Sequence, residues 1–109
     1  MKCEYRLKLY PERYDIYKGL IELLHELQQE GRIVGDKYKI QILKIENKMF
    51  LYDTAINNIY QELKHLVISV DPTKPDFDRS QYTNQFTAKL SKLIEAMKKY
   101  LLKKHIDIA

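Results

Sequence analysis

The sequence predicts an all-α fold, an antiparallel up-down bundle of four helices forming one domain over residues 1–109. Three observations lead there. With 45% hydrophobic and 31% charged residues but only 3 Gly and 3 Pro, the composition suits packed helices better than loops or disorder. Apolar residues recur at steps of three and four along four stretches, the spacing that lines one face of a helix. The stretches are separated by Gly, Pro and Asp, the usual helix breakers and caps. A chain of 109 residues is the size of one domain, because two cores would each be too small to stabilise themselves.

The first helix is predicted to begin near Pro11, whose missing N–H has no intrahelical partner in a first turn, and to end at Gly31. Tyr14, Tyr17, Ile21, Leu24 and Leu27 make its expected apolar stripe. The preceding RLKLY either extends this helix or pairs elsewhere. Gly19 is either a weak point within it or a point of close approach. After Gly31 to Gly35, Asp36 is the expected N-cap of a second helix, DKYKIQILKIENKMF. There Tyr38, Ile40 and Ile42 alternate like a strand, while Tyr38, Ile42, Ile45 and Met49 step like a helix. Helix is the choice, since no other segment offers a strand partner and an unpaired strand leaves its backbone groups unsatisfied.

Asp53 caps a third helix running to about Val70, with Ile56, Ile59, Tyr60, Leu63, Leu66, Val67 and Val70 facing the core. DPTKPDFD then breaks helical order, and Ser80 opens the last helix. Phe86, Leu90, Leu93, Ile94, Met97 and Leu101 define its buried side, with Lys89, Lys92, Lys99 and Lys103 turned largely away.

Charge is unevenly placed. Residues 1–80 carry 13 Lys/Arg against 13 Asp/Glu, whereas residues 81–109 carry 6 against 2, so the last helix holds the whole surplus of +4. A lysine run of this kind can meet nucleic acid or an anionic membrane surface, though such helices are commonly just solvated. Lys89, Lys92, Lys98, Lys99, Lys103 and Lys104 come without base-stacking motifs, which argues against sequence-specific DNA recognition. The single Cys3 allows no internal disulfide and points to the cytoplasm, and no apolar run approaches the roughly 20 residues that span a bilayer.

One catalytic pattern invites scrutiny. ELLH at 22–25 and ELKH at 62–65 are two copies of Glu-x-x-His, the unit that di-iron bundles use on two of their helices, and Glu46 and Glu95 would complete the set. Direction argues against it. At about 100° per residue, Glu22, Glu62 and Glu95 turn well away from their apolar stripes, leaving only His25, His65 and Glu46 at boundary positions. A carboxylate on the outside of a bundle cannot reach a central metal. The three glycines form no phosphate-binding loop, and Asp76 and Asp78 read as paired carboxylates, as a weak cation site or, most simply, as loop punctuation. No catalytic residue, metal or cofactor is assigned.

LYPERYDIYKGLIELL, EGRIVGDK, KMFLYDTAINNIYQEL and LIEAMKKYL are spread along most of the chain, from Leu9 to Leu101. The pattern Leu-Tyr-x-x-Arg-x-x-x-Tyr falls on Leu9, Tyr10, Arg13 and Tyr17, the Phe-Leu-aromatic segment on Phe50, Leu51 and Tyr52, and the closing aromatic-Leu pair on Tyr100 and Leu101. In these features the chain resembles a widespread type of small uncharacterised bacterial helical protein, often carried behind an N-terminal membrane helix that does not stand in this sequence. Pro11 departs from that pattern. The resemblance implies no activity, but it implies that Arg13 and the two aromatic clusters matter structurally, for instance with Arg13 stacked on or bonded near Phe50 and Tyr52, and a membrane-proximal setting where an anchor is present.

The 9 tyrosines and 3 phenylalanines supply side chains of the kind enriched at protein interfaces, and Tyr5, Tyr10, Tyr14 and Tyr17 crowd one end. They either edge the core with wet hydroxyls or form an exposed patch suited to self-association or a protein partner. The leading expectation is therefore a non-enzymatic helical interaction module, with a homodimer as one form. Its candidate interaction residues are Tyr10, Arg13, Tyr14, Tyr17, Phe50, Tyr52, Lys99 and Lys103. Non-specific binding of nucleic acid or anionic membrane by the last helix, and an immunity- or antitoxin-like binder, are the alternatives.

Overall fold

In a computed structural model of the chain, the backbone is described for residues 2–106 and the side chains for residues 9–105. Cys3 and Tyr5 thus lie outside the described side chains. The chain folds as helix α1 (Lys2–Glu30), α2 (Lys37–Lys44), a 3-10 segment (Glu46–Leu51), α3 (Thr54–Ser69), α4 (Arg79–Leu101) and a terminal π turn (Leu102–Ile106). The described residues contain no strand, so the helical reading of residues 36–50 stands against the strand reading, although the helix there is interrupted.

α4 is the centre of the bundle, packed on one side by α1 and on another by α3, with α2 lying against α3. The end of α1 meets the start of α4, where the N–H of Ile33 donates to Thr83 Oγ1 (3.1 Å) and Arg79 Nη1 donates to the Ile33 carbonyl (2.6 Å). At the opposite end Arg13 lies over the ring of Tyr100. These contacts join opposite ends of the two helices and are compatible with the up-down order. The radius of gyration is 15.4 Å, against about 13 Å for a spherical domain of this length. The elongation matches the 29-residue α1, which is longer than any other helix.

Three boundaries differ from those expected. α1 does not start at Pro11 but runs through it. Pro11 has the helical φ built into its ring and forfeits only one backbone bond. Leu9 and Tyr10 pack against the core cluster, which holds the turn before the proline in register. The second helix stops at Lys44 and tightens into the 3-10 segment after Ile45. In a continued α-helix Leu51 would sit about 160° round from Met49; the tighter winding lets both be buried. The buried hydroxyl of Tyr60 donates to the Ile42 carbonyl (2.8 Å), near the end of α2. Burial, and then the Glu46 carboxylate, push the Tyr60 phenol up to about 12. The last helix is capped by Asp78 rather than opened by Ser80, with the N–H of Gln81 donating to Asp78 Oδ1 (3.1 Å).

Caps elsewhere divide likewise. Asp53 Oδ1 accepts from the N–H of Ile56 (2.9 Å), as expected of an N-cap. Asp36 makes no side-chain cap bond; its φ of −102° and ψ of 5° are not the extended pair that aims a cap carboxylate at the next turn. Gly31 adopts φ +80°, the left-handed conformation that ends a helix, and its N–H bonds the Leu27 carbonyl (2.8 Å).

The interior runs continuously from Ile16 to Leu101. α3 and α4 bury the residues expected of them, with Ile59, Leu66 and Val70 half-buried at the edge of the α3 stripe. α1 does so only at Leu27: its buried face is Ile16, Leu20, Leu23 and Leu27, while Tyr14 and Ile21 are exposed and Tyr17 and Leu24 only half-buried. Both stripes have helical spacing, and the wholly aliphatic one goes inside because it brings no hydroxyl that needs a partner. Among the described residues no helix is long and apolar enough to cross a membrane.

Candidate interaction site

All the expected interaction residues but Lys99 and Lys103 fall into two groups on either side of the 3-10 segment. The first is a junction of α1, that segment and α4. Arg13 Nε donates to the carbonyl of Leu51 (2.6 Å), its Nη1 meets His105 Nε2 (3.1 Å), and its guanidinium carbon lies 5.0 Å from the centroid of Tyr100. Tyr52 answers by donating its hydroxyl to the Arg13 carbonyl (2.6 Å), with its ring 5.2 Å from that of Tyr100. Burial holds the Tyr52 phenol well above its ordinary range, partly offset by the Arg13 charge. Arg13 therefore bonds to the backbone between Phe50 and Tyr52 and stacks on Tyr100 instead of on either of them.

Tyr10 closes the junction edge-on to His105 (4.9 Å) and begins a ladder up α1 through Tyr14 (5.8 Å) and then Tyr17 (6.0 Å from Tyr14). Tyr14 and Tyr17 of this ladder begin the stripe expected to be core. The ladder edges the α1–α4 contact, with Tyr14 40% exposed. Tyr10, Tyr14 and Tyr17 thus pack against one another and against His105.

The second group is a seam between α1 and the pair formed by α2 and the 3-10 segment. It encloses about 480 Å³. Its floor is Ile16, Leu20, Leu23 and Leu51; its α1 rim carries Glu12 and Asp15, and its facing rim Lys44 and Lys48. Gly19 lies at the margin, and a Cβ added there would meet nothing within 4 Å, so it marks an opening and not a close approach. Phe50 stands at the lip and is 80% exposed, the most exposed large apolar side chain among the described residues. Ile40, Val34 and Ile68 are also more than half exposed but lie apart from this concavity.

Lys99 and Lys103 belong to neither group. They are exposed at the end of the last helix beside Lys98 and Lys104, where cations complement the negative end of the helix dipole. Lys104 also approaches the Tyr100 ring (5.8 Å).

The six side chains of the apparent metal set are all exposed: Glu22, His25, Glu46, Glu62, His65 and Glu95. His25, His65 and Glu46 are therefore outside and not at the boundary. For His25 the cause is the shift of the buried α1 stripe; its Nε2 meets Gln29 Nε2 (3.1 Å). Glu46 pairs with Lys64, and Glu62 lies 3.9 Å from Lys92. No three His, Cys, Asp or Glu among the described residues are grouped to hold an ion. Of the two loop aspartates, Asp78 is the α4 cap.

The reading from sequence missed the Leu51 carbonyl, Tyr100 and His105 as partners of Arg13, and it missed the seam with its rim. Glu12, Asp15 and Gly19 share one face of α1 by their spacing, but the lysines opposite arrive from another element.

Fold and site together define an all-helical four-helix domain with an arginine-tied aromatic junction and an open apolar seam. Compared with protein-family models, with curated proteins and with solved structures, the chain gives no match.

Proposed function

We propose that this chain is a non-enzymatic helical interaction module of the cytoplasm, working by contact with another protein surface through the seam beside Phe50. The observation that carries the reading is Phe50 itself. An aromatic ring 80% exposed beside an apolar concavity loses hydrophobic stabilisation in the isolated chain and regains it when covered. The 3-10 segment that holds it is fixed on one side by Arg13 and on the other by burial of Met49 and Leu51, so the ring is presented on a rigid support. A rigid aromatic anchor is the kind of residue that dominates interface energetics.

The lysines at the end of the last helix do not favour a nucleic-acid or membrane reading over this one, because the helix end accounts for them. The experiment is photo-crosslinking with Phe50 replaced by a benzophenone analogue, and with Lys98 so replaced as the control. A protein adduct formed in host extract from position 50, and not from position 98, is the expected result. Absence of any protein adduct from position 50 would sink the reading.

A further inference from the structure

We infer that the seam is self-complementary and that its occupant is a second copy of this chain. The inference rests on the reading of the chain as an interaction module and names its partner. The two rims carry opposite charge, Glu12 and Asp15 on α1 against Lys44 and Lys48 across the seam. None of the four has an ion-pair partner among the described residues. A twofold axis lying in the interface and running along the seam exchanges left for right when two copies meet face to face. It therefore sets the acidic rim of each copy against the basic rim of the other, twice over.

The same operation carries Phe50, which stands on the basic side of the seam, over the α1 side of the partner. There the apolar floor of Ile16, Leu20 and Leu23 is reached past Gly19, where no side chain blocks the way. A knob beside a hole, each in reach of its counterpart, is what a closed twofold interface requires. A twofold axis across the seam would instead oppose like charges, so the rims select one of the two arrangements. An unrelated partner helix would need apolar residues flanked by basic groups on one side and acidic groups on the other; a second copy already has that pattern.

From Glu12 to Leu23 the seam follows roughly 16 Å of helix, short for an interface, so association in the micromolar range is expected. Sedimentation equilibrium over a concentration series from about 1 μM to 1 mM tests it. The wild-type chain is expected to pass from monomer to dimer. Phe50→Asp is expected to stay monomeric with an unchanged circular dichroism spectrum and melting curve, since that ring contributes little to the monomer's interior. Lys44→Glu with Lys48→Glu is expected to weaken the dimer about tenfold or more, as is Glu12→Lys with Asp15→Lys, and the two variants mixed are expected to pair with each other. A dimer indifferent to Phe50→Asp and to both charge reversals would overturn the inference by locating the contact elsewhere. A strict monomer overturns it too: with a position-50 adduct to a different protein the interaction reading survives alone, and with no adduct both fall.

Discussion

Arg13 ties α1 to the backbone of Leu51, its Nε donating to the Leu51 carbonyl over 2.6 Å. Tyr52 returns the tie by donating to the carbonyl of Arg13, so two charge-assisted or short bonds cross the same junction in opposite directions. Removing the guanidinium leaves a half-buried carbonyl without its donor. Arg13→Ala is expected to lower unfolding free energy by about 2 kcal/mol, measured by urea denaturation, and Arg13→Lys to recover less than half of this because an ammonium cannot both bond at the Nε position and stack on Tyr100. Equal stability of Arg13→Lys and wild type would show that charge alone suffices.

Leu63 lies wholly within the interior on α3. A carboxylate placed there would be buried without a partner, which costs more than a marginally stable domain can lose. Leu63→Asp is expected to abolish cooperative thermal melting. A sharp transition in that variant would mean the α3 stripe is not the core.

The caps offer a graded comparison. Asp53 and Asp78 each accept an N–H bond at a helix start, and Asp36 does not. Asp53→Ala and Asp78→Ala are each expected to cost about 1 kcal/mol, a fall of roughly 4–8 °C in Tm, whereas Asp36→Ala should change stability by less than about 0.5 kcal/mol. A larger loss at Asp36 than at Asp53 would reverse the assignment.

Alkaline pH should unfold the chain before its lysines alone would. Burial raises the phenols of Tyr38, Tyr52, Tyr60 and Tyr82, that of Tyr60 to about 12. A phenol whose folded value lies above its unfolded value of about 10 holds its proton more tightly when folded. Its contribution is therefore complete below about pH 10 and lost as pH rises through the folded value, at up to roughly 1.4 kcal/mol per pH unit for each group. Denaturation midpoints are expected to be flat to about pH 9 and to fall steeply above pH 10. Tyr60→Phe should lose about 1 kcal/mol at neutral pH, with its bond to Ile42, and show a shallower alkaline decline.

Much of the fold was legible because periodicity is a local property. The α3 and α4 stripes, the Asp53 cap and the Gly31 stop each depend on residues within a turn or two. α1 shows where that ends. Two adjacent stripes with the same three-and-four spacing run along it, and nothing within the helix says whether Tyr14 and Ile21 or Ile16 and Leu20 turn inward. Packing against α4 and the 3-10 segment decides: Ile16 and Leu20 are buried in the shared core, while Tyr14 and Ile21 remain exposed.

By itself, then, the sequence determined the helical class, the placing of the connections and the outward turn of Glu22, Glu62 and Glu95, all of which follow from spacing along one chain segment. Only the tertiary structure decided that the helix continues through Pro11, that α2 tightens after Ile45, and that Arg13 meets Leu51, Tyr100 and His105. It also decided that Phe50 stands exposed over a seam with rims of opposite charge. The Arg13 contacts alone join it to groups 38 and 92 residues away along the chain. Which long-range contacts form is set by competition for the shared interior, a property of the assembled chain that no local spacing records.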